Sequence, residues 1–219
     1  MKKKTKIIWG VIFIGLILSV LVTYSQREAI FIKAGHFMAP TGDYTADVAI
    51  LEGADYIDTG LIQAGLDLLS AGKVKKVIIV IHRIAPAHRP FGINGDYPDA
   101  VRQKLKEAGL KEHQFKVIVS PIRNPVTLKE AQFVLKDLAG EPIKDAILIA
   151  PSFHTRRSYL CYAYIGEPRQ MKIYPLAAFT DHRQVEWWKD ERGWRTFGAE
   201  SLKLLYYLAA GHIPLKFSY

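Results

Sequence analysis

Ser152, His154, Arg156 and Arg157 stand close together in the stretch AILIAPSFHTRRSYLCYAYIG, residues 146 to 166. An imidazole titrating near 6.5 can give or take a proton at neutral pH, so His154 is the candidate catalytic acid or base, or a plain hydrogen-bond donor. An arginine fork matches phosphate and carboxylate. At 100° per residue, Arg157 shares a sector with Phe153, Leu160 and Tyr164, whereas Arg156 points about 80° away. Arg157 is therefore expected either to meet an anion beside free helix amides or to pair with Glu52 or Asp55, and Arg156 to be solvated. Ser152 reads as a helix N-cap, because no Gly-x-Ser-x-Gly elbow surrounds it.

These side chains need a strand and a helix to hold them. Ala146 to Ala150 has the length and apolar character of a buried strand, and the residues after Pro151 have helical periodicity. Similar strands are expected at Asp47–Leu51, Lys76–Ile81, Phe115–Val119 and Lys172–Tyr174, alternating with helices at about 59–71, 98–108, 127–140 and 198–210. That alternation predicts a doubly wound, mostly parallel five-stranded α/β sheet of Rossmann-like type, order 3-2-1-4-5. Parallel strands bring their C-terminal ends to one edge. The edge would collect Glu52, Gly53 and Asp55, His82 and Arg83, Ser120 and Asn124, and Asp181 to Arg183 beside Ser152, His154 and Arg157. Of these, Arg157, Glu52, Gly53, His82, Asn124 and Ser152 are the candidate ligand-binding residues.

Thr127 and Glu130 are spaced as a capping box for the helix they open. The one cysteine, Cys161, excludes an internal disulfide and multi-cysteine zinc, and is expected as a small buried apolar residue. His82 and His88 form no compact ligand set, so no metal site is assigned, and no cofactor is identified.

Residues 7–24 form an uncharged apolar run after MKKKTK, about 27 Å long as a helix and so about the thickness of a hydrocarbon core. The lysines ahead of it predict an N-terminus inside and the rest of the chain outside, with a cleaved signal peptide as the competing reading. The expected division is a basic tail and transmembrane anchor over 1–24, a juxtamembrane linker with a short helix near Glu28–Ala34 over 25–45, and an extracytoplasmic α/β domain over 46–219. The formal charge of +9 belongs partly to that tail: without its four lysines, 26 of the 30 Lys and Arg stand against 21 Asp and Glu. A balance of +5 argues against nucleic acid as a partner and only weakly for an anionic one. Trp187, Trp188 and Trp194 cover a sheet edge or meet a partner or membrane surface.

SFHTRRS after the ILIAPS strand, Glu52 and Gly53 closing the first strand, Thr127 opening a helix and Gly166 ending another together resemble the ElyC/SanA/YdcF family, over about 47–210. The glycine-rich turns usual there after the first two strands are replaced by Glu52, Gly53, Ala54, Asp55 and by His82, Arg83. The resemblance implies a bacterial, membrane-anchored α/β domain in cell-envelope maintenance. The expectation is that it binds an anionic small molecule, phosphorylated or glycan-linked, at His154 and Arg157. The alternatives are a hydrolase or transferase acting on a phosphoester or glycosidic linkage through His154, and a non-catalytic interaction module.

Overall fold

A computed structural model describes residues 2–54, 59–82, 97–180 and 183–214. The five apolar runs form strands β1 (Val48–Ala54), β2 (Lys76–His82), β3 (Phe115–Ser120), β4 (Asp145–Pro151) and β5 (Lys172–Ala178). All pairings are parallel and the order is β3-β2-β1-β4-β5, as the alternation predicts. The helices are α1 (Lys2–Ser25), α2 (Arg27–Met38), α3 (Thr59–Ser70), α4 (Tyr97–Glu107), α5 (Val126–Asp137), α6 (Thr155–Gly166) and α7 (Glu191–Ala209).

Side chains alternate across a strand, and here both faces are buried. Val48, Ile50, Ile78, Val80, Ala146 and Leu148 point into one apolar layer with residues of α2, α5, α6 and α7. Ala49, Leu51, Val77, Ile79, Ile81, Ile147 and Ile149 point into the other, with residues of α3 and α4. The same parity carries Glu52 and His82, the next even-numbered residues of β1 and β2, out on the face of α5, α6 and α7. The strand order reverses between β1 and β4, and a crevice opens there at the C-terminal ends.

Four local expectations change. Helix α6 buries Ser158, Cys161 and Tyr162, while Tyr164 is exposed. Phe153 lies outside α6, in a 3₁₀ turn over Ser152–His154, so counting the helical phase from it misplaces the face. Ser152 opens that turn at φ 48° and is not the cap of α6; its carbonyl accepts from Thr155 Oγ1 at 2.7 Å. Arg156 is buried, not solvated: its Nε donates to Phe37 O at 2.6 Å and the guanidinium lies 4.2 Å from the Phe37 ring centre. That carbonyl is in the last turn of α2, where a cation is favoured. Finally, much of the stretch read as a linker, residues 25–45, is the docked helix α2. Trp187, buried against Phe31, Phe153 and Phe197, donates from Nε1 to Phe31 O at 2.9 Å, and Gln184 Nε2 donates to Ala39 O at 2.7 Å.

Among the described residues no single helix is long and apolar enough to cross a membrane. Ile12–Ser25 and Arg27–Met38, bent by 63°, pass that test only as a pair.

Candidate functional site

Five elements, β1, β2, α5, α6 and α7, meet at the crevice between β1 and β4. Strand β1 supplies Glu52 and Gly53, β2 supplies His82, α5 supplies Thr127 and Glu130, the 3₁₀ turn ahead of α6 supplies His154, α6 supplies Arg157, and the far wall is Lys203, Tyr206, Tyr207 and His212 from α7 and beyond. They line one cleft of about 680 Å³, together with Asn124, Pro125 and Val126. Of the sequence candidates, Glu52, Gly53, His82, Asn124, His154 and Arg157 are brought together, and Ser152 does not line the cleft. Asp55, Arg83, His88, Asp181 and His182 lie outside the described residues.

His154 stands between two carboxylates. Its Nε2 is 2.8 Å from Glu52 Oε1 and its Nδ1 is 3.0 Å from Glu200 Oε2. Burial alone would lower its pKa, but the Glu52 charge and the hydrogen bonds the ring donates to both carboxylates outweigh burial and the nearby Arg157, holding it at about 9. At neutral pH that shift favours the imidazolium, which can donate from Nε2 to Glu52 and from Nδ1 to Glu200. Glu200 Oε2 also accepts from Arg157 Nε and Nη2, at 3.1 and 2.9 Å. One carboxylate oxygen thus bridges two cations whose nitrogens approach to 2.7 Å. Burial would raise the Glu200 pKa; the hydrogen bond and charge of His154, then Arg157 and Lys203, hold it far below the usual carboxylate range. Arg157 Nη1 donates to Thr127 Oγ1 at 2.6 Å, and the guanidinium lies 5.0 Å from the Tyr207 ring centre. Its salt bridge is therefore to Glu200 and not to Glu52. With five N–H groups on a guanidinium, one hydrogen of Nη1 is left for a ligand.

A second pair faces the first. His82 Nε2 is 2.6 Å from Glu130 Oε2, while Glu130 Oε1 accepts from the Tyr162 hydroxyl at 2.9 Å and from Gly53 N at 3.2 Å. Burial, opposed by the His82 hydrogen bond, pushes Glu130 toward its neutral form. The close pair explains Gly53: a Cβ there would sit 2.5 Å from Glu130 Oε2 and 2.9 Å from His82 Nε2.

The capping box expected of Thr127 and Glu130 does not form. Pro125 occupies the N-cap of α5 and no side chain caps the helix, so both polar side chains are turned into the site. The first-turn amides of α5 have no partner within the helix, and Val126 and Thr127 of that turn line the cleft together with Arg157. Among the described residues two buried side-chain polar atoms lack a hydrogen-bond partner, Glu52 Oε2 and Ser120 Oγ. Among the described residues no group of His, Cys, Asp and Glu is arranged to hold a metal ion.

No family model matches this chain, and neither a curated protein nor a solved structure matches it.

Sequence reasoning did not single out Glu200, Ser158, Lys203, Tyr206, Tyr207 or His212 as site residues, and it read Glu130 only as part of a cap. Glu200 had a signal: at 100° per residue it falls in one sector with Gly193, Leu204 and Tyr207, on the buried face of α7. An acid on an apolar face requires a buried cation.

Proposed function

We propose that this chain is a membrane-anchored, extracytoplasmic α/β domain that binds an anionic small molecule in the β1/β4 cleft and serves cell-envelope maintenance. The observation that carries the binding reading is the cleft itself, where the uncapped N-terminus of α5 opens beside Arg157 and a protonated His154. His154, Arg157 and Lys203 set three positive charges against the carboxylates of Glu52 and Glu200, with Glu130 pushed toward neutrality. Helix amides and a guanidinium hydrogen can meet phosphate oxygens there without moving either buried ion pair. Anchoring and envelope involvement rest on the basic tail, the apolar run and the family resemblance.

A second reading has its own support. Two histidine–carboxylate pairs, His154 with Glu52 and Glu200 and His82 with Glu130, face one cleft. A hydrolase or transferase acting on a phosphoester or glycosidic linkage could use the His154 imidazolium as its proton donor. Held as a donor to two carboxylates, that ring has no lone pair with which to act as a base.

Calorimetric titration of the full chain in nanodiscs with pyrophosphate tests the binding reading. Binding is expected at pH 7, should weaken as pH rises through about 9 and His154 loses its proton, and should weaken about tenfold in Lys203→Ala, which removes an exposed charge at the rim. Absence of binding, or binding indifferent both to pH and to Lys203, overturns it.

A further inference from the structure

Among the described residues, Glu52 is the carboxylate of the cleft with an idle oxygen. Its side chain is only 2% exposed. Oε1 accepts from Ser158 Oγ at 2.5 Å and from His154 Nε2 at 2.8 Å, whereas Oε2 accepts from nothing. Both oxygens of Glu130 and both of Glu200 are engaged. Buried polar groups are normally satisfied, and a charged acceptor left unmatched carries a large desolvation cost. An anion alone cannot supply the missing donor, because its oxygens would repel the Glu52 oxygen. The ligand that completes this site therefore brings a donor as well as a negative charge.

The far wall narrows the class. The Tyr206 ring is 60% exposed and stands edge-on to His212, with ring centres 5.5 Å apart. Tyr207, by contrast, is buried and faces the Arg157 guanidinium. One open aromatic face offers a single-sided platform, which suits the C–H face of a sugar ring; a nucleobase gains most when held between two faces. The cleft volume of about 680 Å³ lies within the usual range for small-molecule sites, roughly 300–1,000 Å³.

Building on the anion-binding reading above, we propose that the ligand is a sugar phosphate. Its phosphate sits at the N-terminus of α5 against Arg157, a ring hydroxyl donates to Glu52 Oε2, and the ring lies on Tyr206. Phosphate position and hydroxyl position are read by different groups, so the site distinguishes a sugar phosphate from either of its halves.

The test is calorimetric titration of the full chain in nanodiscs, free of sugar detergents. The probes are inorganic phosphate, AMP and three sugar phosphates: glucose 1-phosphate, mannose 6-phosphate and N-acetylglucosamine 1-phosphate. The best sugar phosphate is expected to bind about tenfold more tightly than inorganic phosphate, the increment of a hydrogen bond to a charged acceptor. In Glu52→Gln, whose amide can present a donor where the hydroxyl needs an acceptor, the ratio of the two affinities should fall toward one. Tyr206→Ala, a change at an exposed position, should lower the same ratio without disturbing the fold. If inorganic phosphate binds as tightly as every sugar phosphate, the sugar proposal fails and the anion site stands. If AMP binds most tightly, the ligand is a nucleotide and the proposal fails. If nothing binds, both readings fail.

Discussion

Replacing Glu200 by Gln keeps the size of the side chain and one acceptor oxygen but removes the charge that holds two cations together. In the native site His154 is raised from 6.5 to about 9 by Glu52 and Glu200 jointly. At about 1.4 kcal/mol per pH unit, that shift represents roughly 3 kcal/mol of stability. For a group raised on folding, the contribution is complete below pH 6.5 and disappears as pH rises through about 9. Glu200 contributes part of it, so in the variant His154 should titrate lower by about one pH unit, with Glu52 still holding it above 6.5. Arg157 also loses its buried partner, and breaking a buried pair costs about 3–5 kcal/mol. The Gln oxygen still accepts a hydrogen bond, so the total at pH 6 should be near the lower end, about 3 kcal/mol. By pH 10 the His154 share is gone from both proteins, and the gap should narrow by about 1 kcal/mol. Urea unfolding followed by fluorescence of the four tryptophans, at pH 6, 8 and 10, measures the gap. The His154 ring resonance in an NMR titration measures the pKa itself. A gap constant across this range, or a native His154 titrating near 6.5, would refute the assignment of Glu200, beside Glu52, as one of the two residues that hold His154 charged.

Gly53→Ala places a methyl group 2.5 Å from Glu130 Oε2 and 2.9 Å from His82 Nε2, so the second pair must part. A loss of about 1–3 kcal/mol is expected in urea unfolding, together with weaker ligand binding; a neutral effect would show that the pair is not held against the backbone. A topology reporter fused after Tyr219 should be active only if it functions outside the cytoplasm, and a cytoplasmic signal would remove the envelope assignment while leaving the cleft chemistry intact.

The sheet was legible because each strand is a short apolar run flanked by turn residues, and because alternating strands and helices admit few topologies. Parity along β1 and β2 was equally available, and it places Glu52 and His82 on one face without any coordinates. What sequence spacing could not decide is which of two partners a polar side chain takes. Thr127 and Glu130 have the spacing of a capping box, yet Pro125 is the N-cap and both side chains turn to longer-range partners: Arg157 for the first, His82, Tyr162 and Gly53 N for the second. The local bond and the distant bond cost the chain nothing different in sequence, so the three-residue spacing cannot separate them.

Arg156 and Arg157 show the same limit more sharply, since adjacent residues with one chemistry take opposite structural tasks. Arg156 reaches back 119 residues to the last turn of α2, and Arg157 reaches forward 43 residues to α7. The first turn of α6 is thereby tied on one side to the helix that follows the apolar N-terminal segment and on the other to the far wall of the cleft. A helical wheel grades these residues by the face they leave the helix from, but a long arginine in a first turn is placed by whichever acceptor lies above it. Here one acceptor is a free carbonyl at a helix end and the other an acid on an apolar face. Both are features of segments distant in sequence, and the second could have been found by asking what a buried Glu200 must pair with.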